Sequence, residues 1–165
     1  MIITKVRYRN RDLPNSLLPR LMERVFHVSL LSSLEKIKED GEIKVSGTGL
    51  CPSVYPGHYN SFMRNRGYVS LFDYRSVPQE HLEDSLDKCS PTQGATPESG
   101  IVIFLFSRSD IPKLLSWREW NLEDAPREMV VPYVEAGHKG PISLKLIDEI
   151  ICLEIDEEPN ISNLL

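Results

Sequence analysis

The 165-residue chain carries 19 lysines and arginines against 24 aspartates and glutamates, which gives a net charge of -5. That acidity provides no general attraction for a phosphate backbone or an anionic lipid surface. The length corresponds to a single domain, 1–165, and 41% hydrophobic residues suffice for one sizeable core. Residues 1–24 differ, with six basic and two acidic side chains, and predict a basic N-terminal arm or helix. Such a stretch is more often a solvated face than a contact with nucleic acid.

The cysteines exclude the common metal-binding frameworks. Cys51, Cys89 and Cys152 lie far apart, and neither a C-x-x-C pair nor zinc-finger spacing of histidines occurs. The N-terminus lacks the apolar centre of a signal peptide, and no run approaches the ~18 apolar residues of a membrane span. We therefore expect a cytoplasmic protein with reduced thiols, no metal and no membrane partner.

Short apolar runs predict strands along most of the chain. The predicted strands are 25–29, 42–46, 68–72, 101–106, 129–135 and 150–155. Helical spacing predicts short helices at 17–24, at 79–87, at 110–117, at 144–149, and from a capping box of Ser32 and Glu35 to Gly41. Residues 47–60 and 77–100 read as irregular, the latter as a long loop or insertion around its helix, and 156–165 as a flexible tail.

The order of these elements indicates the fold class. Helices do not alternate regularly with strands, which favours an α+β fold over a doubly wound sheet. The sequence contains neither the G-x-G-x-x-G fingerprint of dinucleotide-binding sheets nor a P-loop.

The first candidate site residue is a histidine in the middle of a predicted strand. Period-two alternation places Val25, His27 and Ser29 on one face, which could line a cleft, although a lone strand histidine is more often structural. Residues 27–43, HVSLLSSLEKIKEDGEI, resemble the first motif of ADP-ribosyltransferase-like domains. In that family a strand histidine precedes a helix, a glycine and another strand. The resemblance implies that His27, with Ser29 beside it, binds the ribose and nicotinamide part of NAD+.

A second motif follows at residues 68–76, YVSLFDYRS. It resembles the central strand of the family, and especially that of the DarT-like DNA-thymidine ADP-ribosyltransferase toxins. The resemblance implies that Tyr68 and Phe72, with Ser70 on the same face, form a platform for nicotinamide; the alternative is that both rings belong to the core. An upstream arginine is expected to meet the pyrophosphate or support catalysis. We assign Arg64 to catalysis and Arg66 to the cofactor, and the sequence leaves the two interchangeable.

The third motif begins at Glu135, after the apolar run MVVPYV. The following AGHKGPISLKLIDEIICLEI resembles the closing unit of the family, a strand with the catalytic glutamate, a turn, a short helix and a last strand. Alternation along the predicted strand 129–135 places Tyr133 and Glu135 on one face. The resemblance implies that Glu135 is catalytic, whereas by itself it would read as a solvated strand end.

Together the three motifs imply an α+β domain with split mixed or antiparallel sheets and short peripheral helices. The implied function is mono-ADP-ribosyl transfer with NAD+ as substrate and no metal, in a bacterial toxin or phage-defence factor. The pattern departs from the DarT-like toxins after Ser76, so the acceptor, whether DNA, RNA or protein, stays open. Two alternatives are a non-catalytic interaction module with the same fold and an RNA 2′-phosphotransferase-like enzyme.

Overall fold

The computed structural model describes residues 1–8, 17–45, 54–55, 60–125 and 127–156. Most of its strands belong to one mixed sheet of seven. These are β1 Ile2–Tyr8, β2 Val25–Leu30, β4 Tyr68–Asp73, β5 Ile101–Phe106, β6 Leu115–Ser116, β7 Glu135–Lys139 and β9 Ile147–Ile155, in the order β1-β9-β5-β2-β4-β7-β6. Two further strands, β3 Glu42–Ile43 and β8 Ile142–Ser143, form a separate pair. Only β1 and β9 run parallel to each other among the paired strands described.

The helices are short. They are α1 Leu18–Leu21, α2 Leu34–Asp40, α3 Phe62–Asn65, α4 Gln79–Lys88 and α5 Glu119–Leu122, with 3-10 turns at Leu31–Ser33 and Leu144–Leu146. A large sheet with short, irregularly placed helices confirms the α+β class. None of the helices in the described part of the chain has the length and apolarity that crossing a bilayer requires.

The core lies on both faces of β5. Its six residues are all buried, and Ile101, Ile103 and Leu105 pack into one apolar cluster while Val102, Phe104 and Phe106 pack into another. A continuous apolar run is what a strand covered on both faces requires, so the predicted buried strand is confirmed. Strand β4 is less enclosed, because Tyr68 and Ser70 stay partly accessible.

The N-terminal residues form a strand, so the expected basic arm is wrong for residues 2–8. β1 pairs with β9 over seven residue pairs. The basic side chains of this end meet acidic ones of β9: Arg7 Nε lies 2.9 Å from Glu154, Arg24 Nη2 lies 2.6 Å from Asp148, and Arg20 pairs with Glu149. The charge excess that suggested a free arm is therefore locally balanced by the acidic end of the chain.

Several predicted helices are corrected. No helix covers 110–117; Ile111 and Leu114 pack against the core from an irregular segment, and β6 begins at Leu115. The helix expected at 17–24 is limited to α1, because Met22 has an extended backbone and Glu23 then takes a left-handed φ of +58° before β2. The helix expected at 144–149 is one 3-10 turn, since β9 begins at Ile147.

The other predicted elements agree with the structure in part. α2 ends at Gly41 with φ +71°, as expected. Its capping box does not form, because Ser32 lies inside the preceding 3-10 turn and no side chain caps the helix. The helix predicted within 77–100 is confirmed as α4. The strand predicted at 42–46 is reduced to β3, and most of 47–60 and of the tail lies outside the described residues.

Candidate active site

The main sheet divides between β2 and β4. These two strands share only the pairs Val25–Asp73 and Phe26–Phe72. Beyond them, β2 continues to pair with β5 as far as Leu30, while β4 pairs with β7 from Tyr68 onward. The sheet thus separates into two wings, one formed by β1, β9, β5 and β2 and the other by β4, β7 and β6. A cavity of about 460 Å³ extends along the gap between them.

Most of the predicted site residues meet in this cavity. Its lining includes Glu135, Arg64, His27, Ser29, Tyr68, Ser70 and Phe72. Arg66 does not contribute to it. Two further residues, Tyr55 and Cys89, line the cavity with Glu135. They come from segments predicted to be irregular, and no sequence motif points to them.

His27 joins the two wings. Its Nδ1 lies 2.9 Å from the carbonyl oxygen of Ser70, and its Nε2 lies 2.9 Å from Ser29 Oγ. A carbonyl oxygen can only accept, so Nδ1 carries the proton and Nε2 of the neutral ring accepts from the Ser29 hydroxyl. Burial lowers the pKa of His27, against the opposing effect of the Ser70 hydrogen bond. The ring is therefore a neutral, fixed group at the dividing point of the sheet.

Glu135 begins β7 and closes a turn with Val131. Its Oε2 accepts a hydrogen bond from the Val131 backbone N–H at 2.8 Å, and its own N–H donates to the Val131 oxygen at 3.0 Å. The strand predicted at 129–135 is therefore wrong. Pro132 interrupts the apolar run, and Tyr133 has a φ of +68°, so Tyr133 and Glu135 are not alternate residues of one strand.

Burial raises the pKa of Glu135 to about 7, while the Val131 N–H bond acts in the lowering direction. Tyr55 and Cys89 share the cavity with this carboxyl. A carboxyl that exchanges its proton near neutral pH is suited to acid–base work, and such shifted groups concentrate at functional sites.

The two candidate arginines have different surroundings. The Nη1 of Arg64 is buried and has no hydrogen-bond partner among the described residues. Arg64 is carried by α3, whose start is capped by the Ser61 hydroxyl, which accepts from the Arg64 backbone N–H. Arg66 instead holds Glu123 and Glu128 at 2.5 Å each and lies over the Phe62 ring. Arg64 is thus the guanidinium available to a ligand in the cavity.

The two aromatic residues of β4 also differ. Phe72 is 8% exposed and stacks on Phe26 with ring centroids 5.1 Å apart, so it is chiefly a core residue that touches the cavity. Tyr68 is more accessible, and Lys139 Nζ lies 4.7 Å from its ring centroid. Tyr68 is therefore the better placed of the two to contact a bound ring.

A second cavity of about 230 Å³ also has Glu135 in its lining. Its other lining residues include Asp73, Trp117, Arg118 and Tyr133. Glu135 thus borders both cavities.

Comparison with protein-family models, curated proteins and solved structures finds no match to this chain. The interpretation of the site therefore rests on its own geometry. In the part of the chain that the structure describes, no three His, Cys, Asp or Glu side chains lie together as metal ligands would.

The arrangement combines three chemical properties in one cavity. Arg64 offers an unsatisfied donor for an anion, His27 fixes the position of the Ser29 hydroxyl, and Glu135 offers a carboxyl whose pKa is raised to about 7. Such a site suits an elongated ligand with an anionic part and a reacting centre that becomes positively charged.

Proposed function

We propose that this protein is a mono-ADP-ribosyltransferase with NAD+ as its substrate, bound in the larger cavity between the two wings of the sheet. The observation that carries the proposal is the meeting of His27, Arg64 and Glu135 in that cavity. These residues belong to three separate regions of the sequence, and the fold brings them to one cavity.

The proposed chemistry cleaves the bond between nicotinamide and ribose. Its transition state resembles an oxocarbenium ion, as in glycoside hydrolysis, and the Glu135 carboxylate stabilises the developing positive charge. A nucleophile of the acceptor forms the new bond to the ribose carbon, nicotinamide leaves with the bonding electrons, and Glu135 takes the acceptor's proton. His27 orients the nicotinamide ribose, and Arg64 binds the pyrophosphate.

In this proposal the acceptor reaches Glu135 through the second cavity, whose lining also includes that residue. NAD+ would occupy the larger cavity, and the acceptor would approach Glu135 past Tyr133 and Trp117. The net charge of -5 provides no general affinity for nucleic acid, and Arg7, Arg20 and Arg24 are paired with acids of β9. Mass spectrometry of protein, DNA and RNA after incubation with NAD+ identifies the acceptor class.

The environment of the cavity weighs against the phosphotransferase alternative. That chemistry depends on several basic groups in the cleft. Of the cationic residues that line the cavity, Lys36 and Lys44 both pair with Asp40, at 3.0 and 2.9 Å. Only Arg64 lacks a partner for a buried nitrogen among the described residues of the cavity.

NAD+ binding is tested by thermal unfolding of the parent, Arg64→Leu and Arg66→Leu. At 100 times its dissociation constant, a ligand stabilises the folded state by about 2.7 kcal/mol, which raises the midpoint of a domain this size by about 5–10 °C. We expect Arg64→Leu to lose this shift. We expect Arg66→Leu to keep this shift. Without NAD+ the variant should be less stable than the parent, because Glu123 and Glu128 lose their partner.

Two outcomes contradict the proposal. One is a parent protein that shows no shift at millimolar NAD+. The other is the reverse order of the variants, with the shift lost in Arg66→Leu and retained in Arg64→Leu. A shift without any cleavage of NAD+ would instead identify a non-catalytic binding module.

A further inference from the structure

We infer that Tyr133 is a positioning residue, which holds the Glu135 carboxyl in place through the turn formed by residues 131–134. The inference rests on the proposed role of Glu135. It assigns to Tyr133 no contact with NAD+ and no part in the bond changes.

The backbone of Tyr133 is the first observation. Its φ of +68° lies in the left-handed region, which bulky residues rarely adopt. Such a conformation persists only where the surroundings hold it, and residues of this kind concentrate at functional sites. Tyr133 lies inside the turn that both hydrogen bonds between Val131 and Glu135 close. The conformation of Tyr133 therefore contributes to how the Val131 N–H meets the Glu135 carboxyl.

The surroundings of the ring are the second observation. The Tyr133 ring stacks on His81 of α4, with centroids 3.9 Å apart and planes 12° from parallel. The Trp117 ring, which comes from a different part of the chain, lies against the Tyr133 ring with centroids 4.9 Å apart. The tyrosine ring is thus held between two distant segments, and these contacts offset the strain of its backbone.

Backbone contacts on either side complete the attachment. The Asp73 N–H donates to the carbonyl oxygen of Val134 at 2.7 Å. The Ser85 hydroxyl of α4 donates to the His81 carbonyl oxygen at 2.8 Å and only approaches that of Pro132, at 3.4 Å. β4 therefore fixes one flank of the turn, and the Tyr133 ring fixes its middle.

The consequence for Glu135 follows from its single donor. Among the described residues, the Val131 N–H is the one group that donates a hydrogen bond to the Glu135 carboxyl. Loss of that donor favours the protonated form. The other ionisable groups that share a cavity with Glu135 come from residues outside the turn 131–134. They are Tyr55, Arg64, Cys89, Asp73, Arg118, Lys36, Asp40, Glu42, Lys44, Tyr68 and His27 in the two cavities.

The test compares Tyr133→Phe, which keeps the ring, with Tyr133→Gly, which keeps the backbone conformation accessible but removes the ring. Carbon-13 NMR follows the titration of the glutamate carboxyls, and Glu135 is assigned by its absence from Glu135→Gln. We expect Tyr133→Phe to titrate as the parent does. Tyr133→Gly should titrate at a pH higher by about 0.4–1 unit, the equivalent of one net hydrogen bond.

Two controls separate positioning from general destabilisation. Glu23→Gly relieves another left-handed residue, φ +58°, outside both cavities and should leave the Glu135 titration unchanged. His81→Ala removes the stacking partner while Tyr133 stays, and should shift the titration in the same direction as Tyr133→Gly. It also provides the measurement if Tyr133→Gly does not fold.

Turnover of NAD+ supplies an independent readout. Tyr133→Gly should lower kcat with little change in the KM for NAD+, because the substitution disturbs the Glu135 carboxyl and leaves the contacts with NAD+ intact. An unchanged Glu135 titration in Tyr133→Gly and His81→Ala overturns the inference, as does an equal shift in Tyr133→Phe, which would make the phenol hydroxyl the acting group. A parent without any turnover refutes the proposed function, yet the titration still decides the positioning role.

Discussion

Replacement of Glu135 by glutamine is expected to stabilise the folded protein above neutral pH while it abolishes the proposed activity. The folded protein keeps a proton on Glu135 up to a pKa of about 7, whereas the unfolded chain releases it near 4.5. The carboxyl therefore lowers the stability of the parent progressively as the pH rises from about 4.5 to about 7, and by a constant amount above that. Glutamine stays neutral and can still accept from the Val131 N–H.

The magnitude follows from the size of the shift. At 1.36 kcal/mol per unit, a rise from 4.5 to about 7 corresponds to about 3 kcal/mol. Glu135 is only partly buried, so solvent screens part of the charge, and we expect Glu135→Gln to gain about 2–3 kcal/mol at pH 8. For a domain of this size the midpoint of thermal unfolding should rise by about 4–12 °C at pH 8 and hardly at all near pH 4.5.

Thermal and urea unfolding at a series of pH values measure this gain. Glu154→Gln is a matched control, because Glu154 is 42% exposed and pairs with Arg7 on the surface. Its effect should stay within about 1 kcal/mol at every pH. A Glu135→Gln variant that is no more stable than the parent at pH 8, or whose gain is the same at pH 5 and pH 8, would refute the buried, raised-pKa carboxyl.

Two further substitutions test the geometry around the site. His27→Phe leaves the Ser70 carbonyl without its partner at 2.9 Å and should cost about 1–3 kcal/mol in urea unfolding; a loss within about 0.5 kcal/mol would show that the bond is unimportant. Gly137→Ala places a Cβ 2.7 Å from Met63 Sδ and 3.1 Å from Tyr68 Cβ, and should cost about 1–3 kcal/mol by the same measurement. The added cost should shrink in a Met63→Ala background, and equal costs in both backgrounds would contradict the predicted contact.

The sequence predicts best where local pattern and burial agree. The run IVIFLF could only be buried, and the structure places it at the centre of the sheet with both faces covered. Gly41 ended its helix because a left-handed residue is needed there. Each of these features depends on a few residues that are neighbours in the sequence, so the sequence alone predicts it.

Features that depend on distant partners were missed. The alternating residues of β1 looked like a solvated basic arm, because their acidic partners on β9 lie at the other end of the chain. For the same reason the sequence could not choose between Arg64 and Arg66, since Glu123 and Glu128 engage one of them from far along the chain.

For the candidate site, the sequence predicted some features correctly and missed others. Motif order predicted that His27 and Glu135 belong together, and both line one cavity. The apolar run before Glu135 predicts a strand, but the structure has a turn there and β7 begins only at Glu135. Pro132 disfavours a strand at this place, because proline has no N–H to donate to a neighbouring strand. The left-handed backbone of Tyr133 had no local signal, since its stacking partner His81 comes from a separate helix.

The release of nicotinamide from NAD+ tests the central proposal most directly. The measurement compares the purified parent with Glu135→Gln at pH 8, where the carboxyl is largely ionised. We expect the parent to release nicotinamide and the variant to be slower by about 10²–10⁴-fold, with its fold intact. A parent that releases none, or a variant that releases it as fast as the parent, would contradict the proposal.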